Sequence, residues 1–238
     1  MIHSYHLVEL PALMSVRTLV RPPTSATTPG LQHAECVVLM RFGAPIASPA
    51  RLQLRRLAMF AQWDDEAALD AFLQGDGLGR RLADGWHVRL QYLRRYGSLK
   101  ALGDLPERAG TWDDDESIVA VTIARMKLRE VPRFLRWGRP VELLVANHPG
   151  AVFSTGSQRP PHTISTFSIW RTVREMNEMV HGRSPVTDAH VHRVAMAEQR
   201  RRDFHHESTF MRFRPLSEHG TWQGRRLLPP ASGQRHMS

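Results

Sequence analysis

The sequence predicts an α+β protein made of two ferredoxin-like βαββαβ repeats, and three observations predict it. A Phe-x-x-Trp motif occurs twice: Phe60 and Trp63 in Ala58-Met-Phe-Ala-Gln-Trp63 recur 107 residues later as Phe167 and Trp170 in Ser165-Thr-Phe-Ser-Ile-Trp170. Each motif leads into a helix-compatible stretch, Asp64 to Gln74 and Arg171 to His181, and then into an alternating strand, His87 to Leu93 and Ser208 to Phe213. Gly110-Thr-Trp112 then returns as Gly220-Thr-Trp222. A unit of about 110 residues is too long for a solenoid, whose repeats run to roughly 20–50 residues. The pattern is therefore the duplication of a whole folding unit.

In the first repeat, residues 1–112, Tyr5 to Leu13 supplies the opening strand and a short helix follows. The segment Arg21 to Gly30 is turn-forming, and Glu35 to Phe42 with Arg56 to Trp63 give the middle strands. The acidic connection at 112–117 starts the second repeat, residues 113–228, with the β-branched strand Ile118 to Met126. Val131 to Val145 is a helix interrupted by Gly138 and Pro140, Gly150 to Ser157 and Ile164 to Trp170 are strands, and Val186 to Arg202 is a helical region before the last strand. The order is the split βαβ arrangement. Two such sheets can close on each other into a barrel, with a pocket between or beneath them. Residues 229–238 read as a flexible tail.

Composition narrows the function. With 32 Lys+Arg against 23 Asp+Glu the chain carries a formal charge of +9. The basic residues are spread through the chain and only three tyrosines accompany them, so nucleic acid is not the favoured partner. An acidic protein docking by electrostatic steering accounts for the charge equally well. No apolar run approaches the ~20 residues of a membrane-spanning helix, and the N-terminus lacks the basic and apolar regions of a secretory signal. A cytoplasmic protein, with peripheral membrane contact at most, is expected. Cys36 is the sole cysteine and lies in an apolar run, which excludes an intrachain disulfide and a Cys-rich metal site. There is no P-loop, no G-x-S-x-G and no G-x-G-x-x-G. The acidic clusters Asp64-Asp65-Glu66 and Asp113 to Glu116 stand where acids stabilise a helix start or a turn.

The strings Thr163-Ile-Ser-Thr-Phe-Ser-Ile-Trp170, Ala189-His-Val-His-Arg193 and Phe204-His-His-Glu-Ser-Thr-Phe-Met-Arg-Phe-Arg-Pro215 resemble the C-terminal half of spheroidene monooxygenase-like proteins. That family has a "TFS-x-W" strand, a helix with a His-Arg pair, and a strand ending in "RF". It resembles in turn the two-repeat dimeric α+β barrels, a group with haem-dependent members. The resemblance implies oxygenation of a hydrophobic, carotenoid-like substrate, with haem activating O2 and a ferredoxin supplying electrons. It places the family's histidine on His192. The segment Ser154-Thr-Gly-Ser-Gln-Arg-Pro-Pro161 departs from the family's Gly-rich step at the pocket lip. A haem lyase of the aldoxime dehydratase type, or a non-catalytic ligand-binding barrel, stands as the alternative.

The residues are compatible with that chemistry. Neutral imidazole is a natural axial ligand of haem iron. On a helix His192 shares a face with Ala189, Ala195 and Met196, which makes it the candidate iron ligand, while His190 points elsewhere. His205 and His206 begin a strand and face opposite sides, so one of them at most enters a pocket, as a catalytic polar group. Arg193 and Arg212 are candidate anchors for carboxylates such as haem propionates. Phe167, Trp170 and Phe210 are candidate pocket walls, although core packing explains such aromatics as readily.

Overall fold

The first half runs β1 (Ile2–Glu9), α1 (Ala12–Val20), β2 (Leu31–Met40), β3 (Gln53–Trp63), α2 (Glu66–Gln74), α3 (Leu78–Asp84) and β4 (Trp86–Ser98). The second runs β5 (Ile118–Met126), α4 (Val131–Asn147), β6 (Ala151–Arg159), β7 (Thr163–Trp170), α5 (Val173–Val180), α6 (Val191–Arg201) and β8 (His205–His219). The structure is a computed structural model and describes residues 1–45, 48–75 and 77–229. Of the tail expected over 229–238, all but Pro229 lies outside the described residues.

The eight strands close into one barrel in the order β1-β3-β2-β6-β7-β5-β8-β4, every neighbour antiparallel. Each half contributes the order 4-1-3-2 of a split βαβ unit. The halves meet like strand to like strand, β2 on β6 and β4 on β8. The registers confirm the duplication: Ile2 pairs with Trp63, and Ile118 pairs with Trp170. Each indole N–H donates to a nearby serine hydroxyl, Trp63 to Ser4 and Trp170 to Ser168, both at 2.9 Å. The Phe-x-x-Trp motif thus closes the same corner of both sheets.

Helix starts follow local chemistry. Asp65 accepts the Ala68 N–H at 2.8 Å ahead of α2, and Thr172 accepts the Glu175 N–H at 3.1 Å ahead of α5, one half of a capping box. Pro140 lies inside α4 without ending it. It removes one backbone donor, and the apolar face packed on the sheet outweighs that loss.

Alternation along the strands sends one set of side chains into the barrel. Tyr5, Leu7, Phe60, Trp86, Phe167, Met211 and Phe213 fill it, with Tyr5 stacked on Phe167 at 3.8 Å between ring centroids. These side chains are almost wholly buried. The other set faces outward beneath the helices.

Several boundaries differ from expectation. The opening strand covers Ile2–Glu9 rather than Tyr5 to Leu13, because His3, Ser4 and His6, polar in the sequence, are fully buried within it. Strands β4 and β8 extend well past 87–93 and 208–213 as a paired ribbon, from His87↔His219 to Ser98↔Ser208. Helix α6 begins at Val191 rather than Val186, because Asp188 takes a left-handed conformation (φ 62) that interrupts a helix.

Candidate functional site

The two halves cover their sheets differently, and equivalent positions explain why. In the first half the outward floor carries Ser4, His6 and Val8 on β1 opposite Ala61, Met59 and Leu57 on β3. Leu57, Met59 and Trp63 pack with Leu69, Leu73 and Leu82 of α2 and α3 into a closed layer. In the second half the equivalent floor is Ala120, Thr122 and Ala124 on β5 opposite Ser168, Thr166 and Ile164 on β7. At three of these six positions a smaller side chain stands in the second half, Thr122 for His6, Ala124 for Val8 and Thr166 for Met59, and helices α4, α5 and α6 leave a gap above them. A cavity of about 650 Å³ remains between sheet and helices. That volume falls in the ~300–1,000 Å³ range of small-molecule sites.

Its roof comes from three helix faces. Helix α4 contributes Phe134, Trp137, Val141 and Val145, α5 contributes Met176 and Met179, and α6 contributes His192, Ala195, Met196 and Gln199. The α6 set has the spacing i, i+3, i+4, i+7 of one helix face. Arg133 ties α4 to α6, donating to the Glu198 carboxylate at 2.8 Å and to the Arg202 carbonyl at 3.0 Å. A buried pair holds α4 to the first half: Arg51 donates to both Glu142 oxygens at 3.0 Å, and Glu142 also accepts the Gly43 N–H at 2.9 Å. Four methionines, including Met40 from the first half, and the aromatics make the lining apolar and adaptable.

Among the polar side chains of this lining, three bear on its chemistry. His192 has Nδ1 3.0 Å from the Val180 carbonyl oxygen. A carbonyl only accepts, so Nδ1 carries the proton and Nε2 is left with a free lone pair. Burial lowers the His192 pKa, opposed by the Val180 bond, so the ring is neutral near neutral pH. His205 is buried between the rings of Phe134 and Phe204, with Nδ1 3.5 Å from an Asp203 oxygen and without a hydrogen-bond partner. Burial keeps it neutral as well, against the opposing pull of Asp203. Arg212, only 5% exposed, donates to Asn177 Oδ1 at 2.9 Å, and its Nε has no partner. Burial lowers its pKa, and no carboxylate pairs with it among the described residues. A guanidinium held this way, flanked by Tyr96, Trp112 and Phe210, is a place for an anionic group of a ligand.

Of the residues expected from the sequence, His192, His205, Arg212, Trp170 and Phe210 line this one cavity. Phe167 borders it, but its ring lies in the barrel core against Tyr5, because side chains alternate along β7. His206 is exposed, the strand partner that faces away when His205 faces in. Arg193 is exposed and absent from the lining, because the residue after an inward His192 is turned about 100° around the helix. Sequence reasoning missed Trp137, Met176, Met179, Gln199 and Tyr96. The apolar periodicity of Phe134, Trp137, Val141 and Val145 is the signal that could have found the roof of α4. The departure segment Ser154 to Pro161 lies mostly in β6, where Gly156 leaves room for Met40 and Phe42: a Cβ there would meet them at 2.5 and 2.6 Å.

Comparison with known proteins agrees with this picture in sequence more than in superposition. No family model matches the chain. Among solved structures, a monooxygenase-like protein from Listeria innocua is 13% identical with a TM-score of 0.30, covering 91% of this chain and 96% of that one. A heme-degrading enzyme from Listeria monocytogenes is 11% identical with a TM-score of 0.30, over 87% and 98%. At such scores neither fold nor function follows from the likeness. Spheroidene monooxygenase of Rhodobacter capsulatus is 31% identical over 125 residues, 51% of this chain and 48% of that protein. Spheroidene monooxygenase of Rubrivivax gelatinosus is 29% identical over 184 residues, 72% of this chain. The chain spans 64% and 48% of the lengths of these two relatives. Over the greater part of its sequence, then, this chain is similar to the spheroidene monooxygenases.

Proposed function

We propose that the chain is a haem-dependent monooxygenase acting on a hydrophobic, carotenoid-like substrate. One observation carries the reading: a neutral histidine, His192, oriented by the Val180 carbonyl and presenting Nε2 at an apolar cavity. The cavity suits the group chemically. His192 would hold the iron, Arg212 would pair with a propionate through its unpartnered Nε, and the methionines and aromatics would cover the macrocycle. Bound haem would supply the redox centre at which O2 is reduced.

The overall reaction, R–H + O2 + 2 e⁻ + 2 H⁺ → R–OH + H2O, needs an electron donor, and an acidic ferredoxin is the donor of choice for a chain of net charge +9. The chain's own residues bind, orient and exclude water. Trp170, Phe210 and the roof methionines give an extended apolar ligand its contacts. His205, neutral and buried with Nδ1 unpartnered, can exchange a hydrogen bond with a polar group near the floor. Thr122, Thr166 and Ser168 add hydroxyls to that floor.

The test is turnover. Haem-loaded protein, a ferredoxin, its reductase and a carotenoid such as spheroidene should give a product heavier by one oxygen atom, labelled by ¹⁸O2. Haem-loaded protein that consumes no reductant and oxidises none of a panel of apolar substrates contradicts the reading.

A further inference from the structure

Two helices related by the duplication carry exposed apolar side chains beside arginines. On α1, Leu13 is 81% exposed, Val16 39% and Val20 72%. They stand at i, i+3 and i+7, one face of a helix whose other face, through Ser15 and Thr18, is buried. Arg17 shares that outer face, Arg21 follows the helix, and α1 contains no acid. On α4 the outer face carries Pro132, Arg136, Arg139 and Leu143, which with the turn at Val186 to Val191 line a groove of about 920 Å³. Leu143 is 42% exposed, and Arg136 has no hydrogen bond or ion pair to any described residue. The one acid of α4, Glu142, is buried against Arg51, and Asp188 is the one carboxylate along the groove.

These helices are neighbours around the barrel. Helix α1 packs over β2 and β3, α4 packs over β6, and β2 and β6 are hydrogen-bonded to each other. Both outer faces therefore flank one seam. We infer that this side of the molecule docks on an anionic phospholipid bilayer, with Leu13, Val20 and Leu143 entering the interface and Arg17, Arg21 and Arg136 meeting the headgroups. An acidic protein would satisfy the arginines but not the exposed aliphatic face of α1. A bilayer satisfies both, since interfacial helices combine basic and apolar side chains in this way. Helix α4 is also part of the roof of the apolar cavity, so docking there would bring the cavity close to a source of apolar molecules. The inference rests on the surface alone and does not require haem.

Vesicle flotation tests it. Protein should float with phosphatidylcholine vesicles containing about one third phosphatidylglycerol, lose binding as salt is raised, and stay behind with phosphatidylcholine alone. Removing a cation at such a surface lowers partitioning about fivefold, so Arg17→Glu with Arg136→Glu should reduce it more than tenfold. Leu13→Ser with Val20→Ser should do the same, with circular dichroism unchanged in both variants because all four side chains are exposed. Failure to float with the anionic vesicles, or flotation of both variants like the wild type, overturns the proposal. So does self-association that is lost in Leu13→Ser with Val20→Ser without vesicle binding, which makes the face a homodimer contact. Retention of an acidic ferredoxin by the same face, without vesicle binding, also overturns it.

Discussion

The Nδ1 of His192 lies 3.0 Å from the carbonyl oxygen of Val180, so the last turn of α5 sets the tautomer and the aim of a histidine on α6. Two helices that the sequence separates by a turn with an irregular backbone at Asp188 thereby act as one support. A proline at residue 181 or 182 would disturb that support without touching the cavity floor. His192→Gln, which keeps bulk and a hydrogen bond but offers no imidazole nitrogen, should leave the melting temperature within a few degrees and abolish tight haem binding, measured by titration with hemin.

Space in the second half depends on small floor residues. Ala120→Phe and Ala124→Phe add bulk to a cavity of about 650 Å³ rather than to a packed core, so the usual overpacking penalty of ~1–3 kcal/mol should be largely absent. Both variants should melt near the wild type yet lose haem or ligand binding. A variant that keeps full binding would place the ligand elsewhere.

Arg212 is a buried cation whose one side-chain hydrogen-bond partner among the described residues is an amide. Such a charge destabilises the empty protein until an anion joins it. Arg212→Met should raise the melting temperature of the ligand-free protein and cut the stabilisation given by a carboxylate-bearing ligand at least tenfold in affinity. Thermal shift with hemin and with hemin dimethyl ester separates the two effects, since the ester lacks the carboxylates.

The Arg51–Glu142 pair joins the halves from buried positions. Arg51→Ala alone leaves the Glu142 carboxylate buried and should cost about 3–5 kcal/mol in urea unfolding, while Arg51→Met with Glu142→Leu should recover at least half of that loss. Equal losses in the single and double variants would show that the pair is not energetically coupled.

Three histidines make the fold sensitive to acid. Burial pushes His3 down to about 3 and His87 down to about 4, with His219 adding to the effect on His87, and holds His6 well below the usual value. His6 stacks on His87 and His87 on His219, at 5.1 and 4.7 Å between ring centroids. A base with a depressed folded pKa binds more protons unfolded, so stability falls as pH drops from about 6.5 toward 4. Urea midpoints measured from pH 7 to 4.5 should decrease, and His87→Gln should flatten that slope. An unchanged slope contradicts the assignment.

Much of the fold was legible because the duplication repeats a rare residue pair at a fixed register. The Phe-x-x-Trp corners and the strand Ile118 to Met126 follow from periodicity, whereas the inward position of His192 appears only in the packing of α6 over the cavity. The start of β1 was obscured because His3, Ser4 and His6 read as solvent-facing. They are buried, two of them under or between aromatic rings. The cavity floor was harder to see. Thr122, Ala124 and Thr166 match no motif, and their meaning appears only beside the larger His6, Val8 and Met59 at the equivalent positions of the first half. Arg193 and His206 stand next to residues that line the cavity, yet neighbours on a helix or strand point apart.

The most direct measurement is the absorption spectrum of the purified protein reconstituted with haem, for wild type and His192→Ala. A Soret band is expected in the wild type and should be lost or strongly shifted in the variant, with both proteins folded by circular dichroism. A wild type that takes up no haem, or a variant with an unchanged spectrum, would contradict the assignment of His192 as the iron ligand in this cavity.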